Sequence, residues 1–333
     1  MQATLERLHQ WLTRFFGDTQ SMLRPLAGDA SFRRYFRVQR HNNSYVLMDA
    51  PPEKETTLPF INVTTALAQG GVHSPKIHAM DPEQGFLLLE DFGNKLFLSV
   101  LSADSADDLY RKAMTVLLKI QQCSTENPSL PPFDIAHMLQ EVGLFRQWFL
   151  GNYLQLTLSP QEENMLTDAF DWLTKTINSQ PSVFIHRDYH SRNIMVLENN
   201  ELGIIDYQDA MQGPFTYDLV SLLKDCYVQW PRDQVLDWLT CFYENMPNHF
   251  GWSKSDFVRG FDLCGLQRHL KVLGIFCRLH FRDHKSAYLK DLPLIFNYVL
   301  NTLEEIAELK PLLDFFQQRL RISFSEKQAC TLQ

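Results

Sequence analysis

At 333 residues the chain is long enough for one large two-lobed domain or two modest ones, and 45% hydrophobic with 21% charged side chains is a globular composition. A net charge of −8 argues against nucleic acid or an anionic membrane as the main partner. Six cysteines, at 123, 226, 241, 264, 277 and 330, form no C-x-x-C, which favours reduced thiols over a disulfide framework or a zinc site.

The first sixteen residues are read as an amphipathic helix with Leu5, Leu8, Leu12 and Phe15 on one face. Glu6 and Arg7 interrupt the run early and no small-residue cleavage site follows, so no signal peptide is expected. No apolar run approaches the roughly 20 residues of a membrane span, and a soluble, cytoplasmic protein without a membrane partner is the expectation.

Leu26 to Val38, LAGDASFRRYFRV, is a turn leading into a strand, with Phe32, Arg34, Phe36 and Val38 on one face and Arg33, Tyr35 and Arg37 on the other. The backbone N–H groups near Gly28 and Ser31 and the guanidinium forks of Arg33 and Arg34 would suit phosphate oxygens, and an ordinary hairpin with a solvated basic face is the alternative. Ser44 to Ala50 is the next strand, closed by Pro51-Pro52. A helix over 58–69 ends at Gly70-Gly71, and strands follow near 76–80 and 86–90. The last runs into Asp91-Phe92-Gly93, read as the end of an edge strand entering a hinge.

Beyond Asn94 the pattern turns helical. Helices are expected from about Ser105, over 134–150, and from Ser159-Pro160-Gln161-Glu162, a capping box with proline at the first helical position, to about Asn178. The final third is helical and rich in aromatic and basic residues. Within Gln267–Leu279, Leu270, Leu273, Cys277 and Leu279 suit packing, whereas Arg268, Lys271 and Arg278 suit either a solvated ion-paired face or a pocket for a polar acceptor. His280 and His284 are spaced as a metal pair would be, but without a third ligand nearby.

Val183 to Asp206, VFIHRDYHSRNIMVLENNELGIID, organises the rest. A short apolar run, a polar loop from His186 to Arg192, and two strands (194–198 and 201–205) around Asn199-Asn200 spell a tight hairpin. With Glu198 facing Glu201 across it, Asn193 falls opposite Asp206, where Cβ atoms lie about 4.5–5.5 Å apart. An amide oxygen and a carboxylate so placed make a site for a hard divalent cation such as Mg²⁺, and Asp188 lies in the loop just before.

His186, Asp188 and Asn193 fit the H-x-D-x-x-x-x-N catalytic loop of the kinase fold. With IIDYQDAMQGPFTYDLVSLL, the region resembles the aminoglycoside-phosphotransferase and choline-kinase group. LAGDASFRRYFRV, MDAPPE and QRHLKVLGIFCRLHFRDHKSAYLKDLP further resemble one branch of it, the bacterial anomeric kinases of N-acetylmuramate and N-acetylglucosamine in cell-wall recycling. The resemblance implies an α+β, two-lobed protein-kinase-like fold. A small antiparallel-sheet lobe (1–91) would bind nucleotide, and a larger, mainly helical lobe (92–333) would hold the catalytic and acceptor sites. It implies ATP and Mg²⁺ as cofactors and an amino sugar as the small-molecule substrate, with no obligate protein partner.

By the same resemblance, Asp188 accepts the proton of the attacking hydroxyl, Asn193 and Asp206 hold the metal, and His186, His190 and Asp218 support the loop. Gly28, Ser31, Arg33 and Arg34 would cover the phosphates, main-chain groups near Glu90 and Phe92 would meet adenine, and Asp209, Arg268, Lys271 and Arg278 are candidates for the acceptor. Two residues depart from the pattern. Arg187 stands where small-molecule phosphotransferases commonly have glycine. Met48 stands where kinase folds carry the strand lysine, and no lysine occurs between Gly28 and Glu53. Other acceptors (an aminoglycoside, a choline-like alcohol, a protein hydroxyl) and a catalytically inactive kinase-like binding protein are the rival readings.

Overall fold

A computed structural model describes residues 2–26 and 32–331. It divides into two compact units, one formed by Met1–Val100 with Asn193–Asp209, the other by Leu101–Arg192 with Ala210–Gln333.

The first unit opens with helix α1 (Gln2–Phe16), whose Leu8, Trp11 and Leu12 recur at helical spacing and are buried. Phe15, expected on the same face, is instead 45% exposed and stacks against Trp11. Strands β1 (Met22–Pro25), β2 (Arg34–Arg40), β3 (Asn43–Asp49), β4 (Ile77–Asp81) and β5 (Phe86–Glu90) form an antiparallel sheet in the order β1-β2-β3-β5-β4, and helix α2 (Leu58–Gln69) joins β3 to β4.

Strand alternation sorts the sheet's two faces. Phe36, Leu47 and Leu88 are directly opposed and pack with α1, whereas the intervening row is Tyr35, Met48 and Leu87. Asp91-Phe92-Gly93 is a turn just past β5: the Asp91 carboxylate accepts the Gly93 N–H at 2.9 Å, and Gly93 has φ +79°. A short helix α3 (Phe97–Val100) completes this stretch.

The second unit continues with α4 (Ala106–Gln121) and α5 (Ile135–Leu144), the latter capped by Asp134 and extended by a π-helical segment, Phe145–Tyr153. Helix α6 (Pro160–Asn178) carries the expected Ser159/Glu162 capping box. Strand β6 (Ser182–Ile185) leads into the polar loop and pairs with β9 (Met211–Pro214), while β7 (Ile194–Val196) and β8 (Leu202–Ile204) form a hairpin that belongs to the first unit.

Helices α7 (Tyr217–Leu223), α8 (Arg232–Asn245), α9 (Lys254–Phe281), α10 (Leu292–Glu304), α11 (Lys310–Phe315) and α12 (Arg321–Thr331) fill out the second unit. In α9 nearly every side chain from Gly260 to Cys277 is buried. A solvated basic face is therefore excluded for this helix, because α5, α7, α10 and the π segment enclose it. Among the described residues no helix is long and apolar enough to cross a membrane.

Candidate active site

The hairpin brings Asn193 and Asp206 together, by a route different from the one expected. Its register pairs Ile194 with Ile204 and Val196 with Leu202, and the Leu197 N–H reaches the Glu201 carbonyl at 2.9 Å. The turn is therefore three residues, Glu198 to Asn200, with the left-handed conformation at Asn200 (φ +60°). A two-residue turn would have required it at both asparagines.

The added residue shifts the pairing by one, so Asn193 stands opposite Ile205, whose N–H it accepts at 3.1 Å. In regular alternation Asp206 would then point to the other face. Its left-handed backbone (φ +63°) breaks the alternation, and the Asn193 amide donates to Asp206 Oδ2 at 3.3 Å. Gln208 secures the other carboxylate oxygen, its Nε2 donating to Asp206 Oδ1 at 2.9 Å and to Asp209 Oδ2 at 3.3 Å. Tyr207 anchors the strand end: its ring lies 4.9 Å from Phe60 and its hydroxyl 2.8 Å from Thr64 on α2.

Asn193 and Asp206 offer oxygen atoms only. Among the described residues no three His, Cys, Asp or Glu side chains gather to hold a metal. Two oxygen donors fit a magnesium ion that takes its remaining ligands from phosphate and water. His280 and His284 make no metal pair: His280 bonds the Ser286 hydroxyl, and His284 lies beyond the end of α9 with φ +56°.

On the sheet of the same unit, Arg33 and Arg34 part company. Arg34 Nη2 reaches Asp49 at 2.6 Å, its cross-strand neighbour on the row shared with Phe86. Arg33, two residues before Tyr35, pairs through Nε with Glu55 at 2.7 Å, and Tyr35 stands on the row shared with Met48. Arg37, on the same face of β2 as Tyr35, is tied to Asp91 at 2.6 Å and to the Gly93 carbonyl at 2.8 Å. Glu90 is engaged by His73 at 3.3 Å and by the Lys76 N–H at 3.1 Å, and its own N–H goes to the Lys76 carbonyl at 2.9 Å; a base bound there must use other main-chain groups. Phe92 packs on Gly203 in β8, where any added Cβ would come within 2.5 Å of the ring. Gly28 and Ser31 lie outside the described residues.

In the second unit, the polar loop after β6 is held mainly through its backbone. The Asp218 carboxylate on α7 accepts the N–H groups of His186 at 2.6 Å and Arg187 at 2.9 Å, the Asp188 N–H donates to His186 Nδ1 at 3.3 Å, and the Ser191 N–H donates to Asp225 at 2.9 Å. The Tyr189 hydroxyl donates to the Ala113 carbonyl at 2.8 Å. His190 sits edge-on to Tyr227 at 5.5 Å, and its N–H bonds the Asp188 carbonyl at 3.0 Å. Burial pushes the fully enclosed Asp218 carboxyl up to about 7, against the two N–H groups that favour its charge.

Asp188 is driven the other way. Desolvation works to raise its pKa, but the positive charges of Lys271 and Arg268, followed by His190 and Arg187, outweigh it and hold the carboxyl well below the usual range. Its side chain is 43% exposed, with Arg268 Nη2 at 3.6 Å. Arg268 is itself buried, donating to the Arg187 carbonyl at 2.8 Å. Lys271 and Arg187 both reach Glu141 Oε1 at 2.8 Å, and Gln267 donates to the other Glu141 oxygen at 3.0 Å.

Arg187 makes this contact from a left-handed backbone, φ +74°. Glycine, which the resemblance leads one to expect at this position, is the residue that adopts such a conformation without strain. Arg268 and Lys271 are thus struts of the loop rather than groups on an open surface. Arg278 stands two helical turns beyond Lys271 and feels Arg282 and Asp283 instead, and Asp209 lies in the first unit beside Asp206.

Sequence reasoning missed Glu141, Glu55, Gln208 and Asp225. A signal existed for Glu141, a lone acid within the otherwise uncharged, mainly apolar run of α5 apart from His137. Glu55, Gln208 and Asp225 sit in polar surroundings where nothing marks them out.

A family model described as the phosphotransferase enzyme family matches residues 22–256. The chain is 42% identical over 303 residues to an N-acetylmuramate/N-acetylglucosamine kinase of Pseudomonas putida, a match covering 89% of this chain and 88% of that protein. It is 35% identical to a protein of the same name from Neisseria meningitidis, with 92% and 93% covered. The structure is similar to that of a choline/ethanolamine kinase family protein from Mesorhizobium loti, with a TM-score of 0.62 at 14% identity over 94% of this chain and 99% of the other. With the loop, the hairpin and its paired Asn and Asp in place, these matches establish that the chain belongs to the phosphotransferase enzyme family.

Proposed function

We propose that this phosphotransferase uses ATP and Mg²⁺ to phosphorylate the anomeric hydroxyl of N-acetylmuramate and N-acetylglucosamine in the cytoplasm, in the recycling of cell-wall sugars. The observation that carries phosphoryl transfer is the Asn193–Asp206 contact in a chain that also sets Asp188 beside Arg268, whose Nη2 lies 3.6 Å from its carboxylate. The acceptor rests on the names of relatives that match about nine-tenths of the chain. The nucleotide-binding part is taken as residues 1–91, with Arg33, Glu90 and Phe92 near the nucleotide. The catalytic and acceptor-binding part is taken as 92–333.

Asp188 orients the sugar hydroxyl and takes its proton. A carboxylate held this acidic is a weak base, so the proton moves late, once bond formation to phosphorus has made the hydroxyl oxygen strongly acidic. An anomeric hydroxyl, more acidic than an ordinary alcohol, eases that demand. Asn193 and Asp206 would hold a magnesium ion, which when bound neutralises charge on the transferring phosphoryl group. Asp218, His186 and Asp225 fix the loop backbone so that Asp188 keeps one orientation.

The test is a panel of acceptors with ATP, read by ³¹P NMR: N-acetylmuramate, N-acetylglucosamine, choline, ethanolamine and kanamycin. A phosphate on the anomeric carbon of the two amino sugars is expected, and transfer to another acceptor alone rejects the reading. In the same assay Asp188→Asn should still bind MgATP while kcat falls by about 10²–10⁴-fold. An unchanged kcat would remove Asp188 from the role of base.

A further inference from the structure

Kinase folds place a lysine on the third strand of the nucleotide sheet, where it holds the α- and β-phosphates while ion-paired to a glutamate on the following helix. This chain lacks both partners. Met48 takes the strand position and is fully buried, and α2, reading LPFINVTTALAQ, contains no charged residue. The sheet face on which such a lysine would stand can still be followed. Met48 is directly opposite Tyr35 in β2, and Arg33 precedes Tyr35 by two residues and acts on its phenol. Arg33 in turn pairs with Glu55, in the turn that leads from β3 into α2. The cation has moved one strand over and the acid has moved ahead of the helix.

Tyr35, on that row, also feels the charge at the end of the hairpin. Burial is the main cause that raises the Tyr35 phenol to about 12, and the next are the opposing charges of Arg33, which lowers it, and Asp206, which raises it. Tyr35 thus lies within electrostatic reach of Arg33 and Asp206 inside one compact unit. Arg33 and Glu55 are 13% and 21% exposed, enclosed enough to hold one geometry and open enough for an anion to approach. Arg34 stands on the opposite row, tied to Asp49.

We infer that Arg33, aimed by Glu55, is the cation that grips the nucleotide phosphates in place of the missing strand lysine. The inference rests on the ATP-dependent reading above and deepens it. Arg33 contacts the nucleotide directly, whereas Glu55 acts through Arg33 as a positioning residue. A guanidinium offers two parallel N–H groups to a phosphate while keeping its ion pair through Nε, a division of labour that a lysine ammonium performs less well.

Arg33→Ala, Arg33→Lys and Glu55→Gln are compared with the parent chain in steady-state kinetics and in calorimetric titration with MgADP, after the melting temperature of each nucleotide-free protein has been measured. Arg33→Ala is expected to lower kcat/KM for ATP by about a hundredfold and to weaken MgADP binding, with the acceptor KM unchanged. Arg33→Lys should recover most of that loss. Glu55→Gln should raise the ATP KM by about tenfold and move kcat little, which a general loss of structure would not do.

An Arg33→Ala protein that melts like the parent and keeps its MgADP affinity and ATP kinetics within twofold overturns the inference. If Arg33→Ala melts early, the Lys variant decides: parental melting with MgADP affinity as poor as in Arg33→Ala also overturns it. A parent chain that binds MgADP but phosphorylates no acceptor would instead reject the proposed function, and the titration would still report on Arg33.

Discussion

Asp188 and Asp218 flank one loop and titrate in opposite directions. The difference lies in the balance of charge and burial: Lys271, Arg268 and Arg187 outweigh desolvation at Asp188, whereas at the fully enclosed Asp218 desolvation outweighs two N–H dipoles and Arg268. Glu141 keeps that cationic cluster in place. Desolvation raises its pKa, Lys271 and Arg187 more than reverse this, and the folded value is about 2 against an ordinary 4.5. A depressed carboxyl contributes stability above its unfolded pKa and loses it as pH falls through the folded one, here between 4.5 and about 2. Glu141→Gln should therefore cost about 3–5 kcal/mol near neutral pH, since it strands Lys271 and Arg187 in a buried site. The gap between variant and parent should narrow below about pH 3, as measured by urea denaturation across pH. None of this was legible in Gln267–Leu279 taken alone, because the neutralising acids come from α5 and from the loop after β6. Asn193 and Asp206 were legible as a pair, since both border one hairpin. Their register was not, because it turned on whether Glu198 belonged to a strand or to the turn.

At the scale of elements, α9 packs through the second unit, and a glycine lets it approach α5 closely. A Cβ at Gly274 would lie 2.4–2.7 Å from the backbone of Leu144 and Phe145, at the junction where α5 passes into its π-helical continuation. Gly274→Ala gains roughly 1 kcal/mol of intrinsic helix propensity. It also drives a methyl group into main chain that cannot move aside, at a cost of about 1–3 kcal/mol or more. A net loss in a denaturant titration is expected, and a more stable variant would show that the two helices can separate freely. The helical periods of α1, α2, α4 and α6 and strands β2 to β5 were readable from spacing, caps and turns, because each is decided by local chemistry. The short, mostly exposed β1 carried no such signal. The π segment and the burial of α9 were not. They depend on what packs against the helix, and a run with basic residues three apart looks amphipathic until those partners are known.

At the scale of the molecule, the kinase-like order of elements was visible because a strand-rich first third, a catalytic loop with its hairpin and a helical remainder follow one another along the chain. The contact units add a detail that such an order hides. Their border falls at the peptide bond between Arg192 and Asn193: the backbone braces of Asp218 and Asp225 end on one side of it, and the Asn193–Asp206 contact begins on the other. Asp188 and the Asn193–Asp206 pair thus belong to separate units that follow one another along the chain at this bond. With Asp188 as the proposed base and Asn193 and Asp206 as the proposed metal ligands, inserting a single glycine after Arg192 should leave each unit's own bonds intact, so MgADP affinity should persist while phosphoryl transfer falls by about 10²-fold or more. A splice at this bond would uncouple holding the nucleotide from spending it, and parental turnover in the spliced chain would show that the two modules tolerate play.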